Sequence, residues 1–274
     1  RFADLIYHVF IEEGSAAFVT GGHPEVELAL VRLAKTTGKQ KYLQLAKFFL
    51  DQRGNNDKDT PVTDWANALY DMSHMPLIQQ HTAEGHAVRA MYLACAMADM
   101  CDDPGYQKAA QEIFQSVTEK RMYITGGVGS SGTLERFTTD YDLPNDTAYA
   151  ESCASIALAM FCRRMSAITG ESRYMDTAEQ ALMNTVLSGV SLDGKRFFYV
   201  NPLEVVPGFC LPATDKNHVK PQRQGWFGCA CCPPNAARLL TSAARYIWDE
   251  ADGVVYSNLF AAGELTLPGV TIAT

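Results

Sequence analysis

The 274-residue sequence lacks any uninterrupted stretch of about 18 apolar residues, which a membrane-spanning helix requires. It also lacks a basic run, because 23 lysines and arginines stand against 31 aspartates and glutamates, for a net charge of −8. Binding to nucleic-acid phosphates needs clustered basic side chains, so the composition disfavours that class of partner. We therefore expect neither a membrane nor a nucleic acid as a partner.

Cysteine is too scarce for a disulfide-based fold, since there are eight in the chain, about 3% of the residues. Three of them, Cys95, Cys101 and Cys162, lie in apolar helical patterns and are expected to be small core residues. Hydrophobic residues make up 47% of the chain, which is enough for a large core and argues against disorder. The chain begins with Arg rather than Met and shows no signal peptide, so we expect an excised or truncated piece of a longer protein.

Three helical hairpins are predicted from apolar residues at helical spacing, each with a glycine turn just ahead of a tyrosine (Tyr42, Tyr106 and Tyr174). The helices are predicted over 26–33 and 42–50, 87–100 and 106–117, and 150–165 and 174–187, with further helices over 2–13 and 235–248. The long connections are the loops 54–63, 123–146 and 191–228. Such long loops at one rim are typical of an α/α barrel with an active site rather than of an open solenoid.

A β region is predicted after Gly253, where short strands separated by Gly and Pro cover 254–260, 264–267 and 270–274. The sequence thus divides into a helical domain over 1–252 and a β domain over 253–274. A sheet of so few strands cannot bury one of its faces by itself. We therefore expect the β domain to be incomplete.

A cysteine-rich loop, 228–235 (GCACCPPN), precedes the last predicted helix, with Asn235 as its expected N-cap. Thiols at the positive end of a helix dipole lose their proton more readily, and the thiolate is the form that binds metals and attacks carbon. One short loop rarely supplies all the ligands of a zinc ion, so further ligands would come from elsewhere. The alternative is a buried cysteine-rich turn or a vicinal disulfide.

Candidate partners for this loop lie in the segment 149–154, at the start of the third hairpin. Glu151 and Cys153 stand two residues apart there and can point into one cavity, where a carboxylate with three thiols would make a mixed site suited to zinc. The alternative is that Glu151, in the first turn of its helix, only offsets the helix dipole.

An acid and two histidines complete the candidate residues. Glu135 belongs to a glycine-rich loop, 126–137, which lacks the lysine and the preceding strand of a phosphate-binding loop. It is either a solvated surface residue or a proton donor held over a pocket. His23 and His86 each stand at the start of a predicted helix and are expected at the same rim as the cysteine loop, although either could be a structural histidine.

Five motifs, in their order and spacing, resemble those of the retaining β-L-arabinofuranosidases of glycoside hydrolase family 127. They are 22–25 (GHPE), 84–89 (EGHAVR), 123–129 (YITGGVG), 149–153 (YAESC) and 229–235 (CACCPPN). Members of this family have an (α/α)6 barrel followed by β-sandwich domains, so the resemblance implies a partial barrel and the start of a β-sandwich. A complete barrel has twelve helices and about eight are predicted here, so we expect the chain alone to be unstable or inactive.

The resemblance also implies roles for single residues. It implies a zinc site of four side chains: Glu151, Cys153, Cys231 and Cys232. Cys231 would be the nucleophile and Glu135 the general acid/base of a retaining reaction on small plant-glycan arabinofuranosides. His23, His86 and Tyr199 would line the sugar pocket.

Other functions stay open at this stage. An α/α barrel could host a different sugar reaction, such as epimerisation or elimination, with the histidines as bases and a purely structural zinc. A carbohydrate-binding protein is a further alternative, because four protein ligands and no open position are the usual mark of structural zinc. A thiol redox role is weaker: Cys231 and Cys232 could form a vicinal disulfide, but no Cys-x-x-Cys pair in a thioredoxin-like context is present. Reduced zinc-binding thiols favour a cytoplasmic location, and a homo-oligomer is compatible with the sequence.

Overall fold

The computed structural model describes residues 1–55, 68–251 and 253–274, and its elements in these ranges are mainly helical, as predicted. The helices are α1 (Phe2–Tyr7), α2 (Val26–Thr37), α3 (Gln40–Gln52), α4 (Ala87–Asp99), α5 (Pro104–Ser116), α6 (Ser152–Thr169), α7 (Ser172–Ala181), α8 (Cys232–Leu240) and α9 (Ala244–Ile247). The predicted loop 54–63 lies mostly outside these residues. No helix in the described part of the chain has the length and apolar character needed to cross a bilayer.

Helices α2 to α7 form the three predicted hairpins, and two of these turn at a glycine. Gly38 and Gly170 have φ of 70°, a left-handed conformation that glycine adopts at little cost, and end α2 and α6. The prediction of a glycine turn in the second hairpin is wrong, because Gly105 is the second residue of α5 and follows Pro104. Asp103 makes this turn instead, as the N-cap whose Oδ1 accepts the backbone N–H of Gly105 at 2.9 Å.

The repeated tyrosines bind successive hairpins together. All three are buried, one each on α3, α5 and α7. The hydroxyl of Tyr106 donates to Asp51 on α3 at 2.7 Å, and the ring of Tyr174 lies 4.3 Å from that of Phe114 on α5. Each of these two tyrosines therefore reaches the outer helix of the preceding hairpin, which explains why the residue recurs at the hairpin spacing.

The first helices of the hairpins and α8 form the inner layer. Helix α4 packs against α2 and α6, and α6 packs against α8, while α3, α5 and α7 cover their partners from outside. Cys95 and Cys162 are fully buried in this core as predicted, whereas Cys101 lies half-buried in the turn after α4. These four inner helices are fewer than the six of a closed α/α barrel.

The last predicted helix differs from the structure. It is predicted over 235–248, but α8 starts at Cys232 and ends at Leu240, only the short helix α9 follows the interruption, and Trp248 is the first residue of a strand. The strands are β1 (Trp248–Ala251), β2 (Val254–Ser257), β3 (Glu264–Leu267) and β4 (Val270–Ala273). They form two antiparallel hairpins, β1 with β2 and β3 with β4, so extended structure begins before Gly253.

Gly170→Ala tests the turn that ends α6. A Cβ at Gly170 meets no atom within 4 Å, so the cost arises only from the left-handed backbone and should destabilise the protein by about 1 kcal/mol. Denaturant unfolding of the variant measures this cost. Gly208→Ala is the matched control, since its Cβ is also uncrowded and its φ is not positive; equal stability of the two variants would contradict the assignment.

Candidate active site

The N-terminal ends of the inner helices meet at one rim of the molecule, where they surround a cavity of about 440 Å³. The cavity contains most of the predicted site residues together with others that sequence reasoning did not select. Its lining includes His23, Glu25, His86, Tyr92, Glu135, Glu151, Cys153, Tyr199, Cys229, Cys231, Asn235 and Arg238.

The cysteine-rich loop delivers two thiols directly to the start of α8. The N-cap of this helix is Cys231 and its first residue is Cys232, followed by Pro233 and Pro234, which suit a first helical turn because they need no backbone N–H there. The expectation that Asn235 caps the helix is wrong. Asn235 is the fourth residue of α8, and its side-chain amide donates to the hydroxyl of Tyr92 at 2.9 Å.

Helix α6 brings the other two residues of the cluster to the same place. Glu151 is the N-cap of α6 rather than part of its first turn, and its side chain makes no capping hydrogen bond. The N–H of Ser152 donates to the carbonyl of Tyr199 at 2.9 Å, and Glu151 forms an isolated β-bridge with Val200. The start of α6 is thereby tied to the segment that carries Tyr199.

Four donor atoms from the two helix starts lie together in the cluster of Glu151, Cys153, Cys231 and Cys232. The sulfur of Cys232 lies 3.3 Å from that of Cys153 and 3.8 Å from that of Cys231. Oε1 of Glu151 lies 3.4 Å from the Cys231 sulfur and 3.5 Å from the Cys232 sulfur. All four cysteines in or beside the cluster, including the exposed Cys229, are free thiols, so the vicinal disulfide is not formed.

The chemistry of these donors suits a metal ion. The second carboxylate oxygen of Glu151, Oε2, is buried and has no hydrogen-bond partner, which is costly for a charged group. Burial and the negative charge of Cys231 raise the pKa of Glu151 well above its ordinary value. All four donor atoms lie within 4.8 Å of one another, so a cation among them could compensate the buried charge.

The thiol cluster places its negative charge on Cys231. Hydrogen bonds from the thiols of Cys153 and Cys232, joined by the hydroxyl of Tyr199 at 2.9 Å, hold the pKa of Cys231 far below its ordinary value in spite of burial. The same contacts raise the pKa of Cys153 and of Cys232. The positive ends of α6 and α8 add to this preference for a thiolate.

Glu135 reaches the cavity from a strained loop. Leu134 and Glu135 have φ of 59° and 52°, values that non-glycine residues adopt at a cost of about 1–3 kcal/mol each. The hydroxyl of Tyr149 donates to Oε1 of Glu135 at 2.7 Å, and His86 Nε2 lies 2.8 Å from Oε2. Burial by itself would raise the pKa of Glu135, but these bonds outweigh it and hold the pKa below its usual value.

His86 has a defined tautomer because it also caps α4. Its Nδ1 accepts the N–H of Val88 at 3.2 Å, so the proton of the neutral ring lies on Nε2. That proton points to Oε2 of Glu135. His86 is therefore both a structural cap and a direct contact of the candidate acid, two roles that the sequence could not separate.

The opposite wall of the cavity is polar and was largely missed from sequence. His23 lies there with its ring 6.0 Å from that of Tyr92. Burial and the positive charge of Arg89 lower the pKa of His23 to about 4. Arg238 donates to the Tyr92 hydroxyl at 2.8 Å and pairs with Glu25 at 2.6 Å. Glu25 and Asn235 belong to the GHPE and CACCPPN motifs, but only the folded structure shows that both face the cavity, with Glu25 paired to Arg238 of α8.

Tyr149 and His218 were also missed. The sequence marks Tyr149 only as the first residue of the YAESC motif. Its hydrogen bond to Glu135 joins residues that are 14 positions apart, so it depends on the fold. The ring of His218 lies 5.5 Å from that of Tyr149. His218 stands in the long loop after α7, where no periodicity marks its place.

Known proteins with similar sequences identify the family. The family profile of the β-L-arabinofuranosidase catalytic domain of glycoside hydrolase family 127 matches residues 1–245. The chain is 40% identical over 280 residues to a non-reducing end β-L-arabinofuranosidase of Bifidobacterium longum subsp. longum, in an alignment that covers 96% of this chain and 42% of that protein.

Solved structures agree with this finding. A crystal structure of a family 127 β-L-arabinofuranosidase from Geobacillus stearothermophilus T6 matches with a TM-score of 0.91 and 43% identity, over 99% of this chain and 45% of that one. Another family 127 β-arabinofuranosidase matches with a TM-score of 0.81 and 39% identity, over 93% and 38%. The chain spans less than half the length of each of these relatives. With 245 of its residues matched by the family profile, the chain belongs to glycoside hydrolase family 127 and is a homologue of its β-L-arabinofuranosidases.

Proposed function

We propose that this chain carries the catalytic centre of a retaining glycosidase that removes β-L-arabinofuranosyl or related residues from small plant-glycan substrates. The observation that supports this most strongly is that one cavity is lined both by Cys231, the thiol on which negative charge is favoured, and by Glu135, a carboxyl group held by two donors. A nucleophile and a proton-transferring acid are the two groups that a retaining mechanism requires. The sugar is inferred from the activity of the relatives.

We further propose zinc as the metal, held by Glu151, Cys153, Cys231 and Cys232. Around a tetrahedral zinc ion, sulfur ligands lie about 3.8 Å apart and a sulfur and an oxygen about 3.5 Å apart. The separations in the cluster, 3.3–3.8 Å between sulfurs and 3.4–3.5 Å between sulfur and oxygen, are close to these values. Bound zinc would keep the thiols deprotonated and balance the charge of Glu151.

In the first half of the reaction, the thiolate of Cys231 attacks the anomeric carbon and the bond from that carbon to the leaving oxygen breaks. Glu135 acts here in its protonated form, which the two hydrogen bonds disfavour in the empty cavity, and gives that proton to the leaving oxygen. Nε2 of the neutral His86 ring is a donor to Oε2, whereas the Tyr149 hydroxyl can rotate to accept, so we place the proton of the acid form on Oε1. The product of this step is a thioglycoside between the sugar and Cys231.

In the second half, Glu135 accepts a proton from water as the water attacks the same carbon. The carbon–sulfur bond breaks and Cys231 leaves as a thiolate. The hydrogen bonds from His86 and Tyr149 favour the carboxylate of Glu135, which is the form needed for this step. Two displacements at one carbon give net retention of configuration.

His23, His86 and Tyr199 are proposed to contact the sugar. Burial keeps His23 neutral at neutral pH, so its ring can exchange hydrogen bonds with sugar hydroxyls without a net charge. Tyr199 lies against the Cys231 sulfur at 2.9 Å, close to the position of an attacked anomeric carbon. A cavity with aromatic rings and several polar groups is suited to a small carbohydrate.

The domain division follows from the same family membership. Residues 1–252 are proposed to be part of an (α/α)6 barrel and 253–274 to begin a β-sandwich. The inner helices that start at one rim and the two β-hairpins support this proposal. The cytoplasmic location and a homo-oligomer stay predictions from sequence.

A carbohydrate-binding or sugar-modifying protein with a purely structural zinc is the second candidate. The observation that favours it is that the cluster already offers four protein donors, which leaves no open position on a tetrahedral ion. This candidate assigns no proton transfer to Glu135.

Cys231→Ser tests the nucleophile in the complete gene product. A serine hydroxyl stays protonated where the thiol ionises, so we expect kcat/KM on p-nitrophenyl β-L-arabinofuranoside to fall at least about 1,000-fold. Zinc content is measured on the same samples, so that loss of metal is not mistaken for loss of the nucleophile. Cys210→Ser, in the preceding long loop and outside the cluster, is the matched control and should keep wild-type turnover. Undiminished turnover by Cys231→Ser would remove the proposed nucleophile.

Glu135→Gln tests the proton transfer. The amide occupies the same space but gives up no proton, so kcat/KM for a disaccharide substrate should fall at least about 100-fold, and less for p-nitrophenyl glycosides, whose leaving group needs little protonation. Glu119→Gln, at an exposed position on the outer surface, serves as the control. Glycan binding without turnover, together with indifference to Glu135→Gln, would support the binding protein instead.

A further inference from the structure

We propose that His218 is a positioning residue for Glu135, acting through the loop that carries the acid and through Tyr149. The inference rests on the proposed function, because it concerns the residue assigned there as the acid/base. It assigns a role to a histidine that neither its local sequence nor the cavity lining marks as functional.

The conformation of the acid loop has to be held from outside. Leu134 and Glu135 are both left-handed, and a loop released from its surroundings would relax to ordinary backbone angles. Ser131 and Arg136 exchange two backbone hydrogen bonds, at 3.2 and 3.1 Å, that close the base of the loop. These bonds hold the two ends of the turn, and Gly132 lies between them.

His218 supports the loop at Gly132. A Cβ placed on Gly132 would lie 3.0 Å from Nδ1 and 3.1 Å from Cε1 of His218, so the imidazole ring lies directly against the backbone of the loop. Gly132 has φ of −68°, which any residue adopts. Glycine is therefore needed here for the close approach of His218 and not for the backbone conformation.

The ring of His218 is itself fixed from the opposite side. Its Nε2 lies 3.1 Å from the carbonyl of Thr147, to which it donates when neutral, and its ring centre lies 5.5 Å from that of Tyr149, with the two rings tilted by 41°. Burial lowers the pKa of His218, in agreement with a neutral ring. One ring thus contacts both the loop that carries Glu135 and the tyrosine that donates to its carboxylate.

A second cavity lies beside the contact between His218 and Gly132, so the loop has room to move if the imidazole ring is removed. A polar cavity of about 580 Å³ borders both Gly132 and His218, on a different side of the loop from the cavity that contains Glu135. Without the imidazole, Gly132 and its neighbours can move toward this space and draw Glu135 away from Tyr149. The expected defect is in proton transfer rather than in substrate binding.

Kinetics of the complete gene product with two substrates test the proposal. His218→Ala should lower kcat/KM for a β-L-arabinofuranosyl disaccharide about 10- to 100-fold. The kcat/KM of the p-nitrophenyl glycoside should fall less than about 3-fold, because kcat/KM reports the steps up to departure of the leaving group and the aryl leaving group needs little protonation. Equal losses of kcat/KM on both substrates would overturn the assignment.

A double-mutant cycle with Gly132→Ala isolates the contact. Gly132→Ala should shift the denaturant midpoint and the disaccharide turnover in the wild-type background but add nothing in His218→Ala, where the crowding partner is gone. Gly208→Ala is the control, since its Cβ meets nothing within 4 Å. Additive effects of the two substitutions would overturn the inference. The unfolding cycle needs no activity, so it still decides the contact if the gene product turns over neither substrate and the proposed function fails.

Discussion

The meeting of a buried carboxylate with three thiols at two helix starts is the constraint on which the rest of the site depends. Glu151 and Cys153 lie at the start of α6, Cys231 and Cys232 at the start of α8, and three of the four are buried, so their donor atoms are too close to be ionised together without a cation. Two helix dipoles favour negative charge at this point, and hydrogen bonds favour that charge on Cys231. The proposed nucleophile and the proposed metal site therefore both depend on the way the helical core holds α6 beside α8.

The acid side of the cavity is built on a different principle. Glu135 comes from a loop, and its position depends on a strained backbone held by contacts from several segments of the chain. His86 from the start of α4 and Tyr149 from just before α6 each take one carboxylate oxygen. The proposed nucleophile is thus held by helix ends and the proposed acid by hydrogen bonds to a loop, and both share the rim because the inner helices all begin there.

Sequence patterns predicted the parts of the molecule that depend on local order. Apolar periodicity gave the three hairpins, and the spacing of the cysteine and Glu-x-Cys motifs placed the metal-site candidates on two helix starts. Boundaries were less accurate: Asn235 is not the N-cap, Gly105 is not in a turn, and the last helix ends before Trp248. The ion pair of Arg238 and Glu25 joins residues 213 positions apart in the sequence, and no local pattern encodes such a contact.

X-ray absorption spectroscopy at the zinc edge, with metal content measured on the same purified gene product, tests the metal centre most directly. We expect one zinc per chain, bound by three sulfurs at about 2.3 Å and one oxygen at about 2.0 Å. Protein that is folded and has reduced thiols yet retains no zinc, or zinc bound only by nitrogen and oxygen, would contradict it.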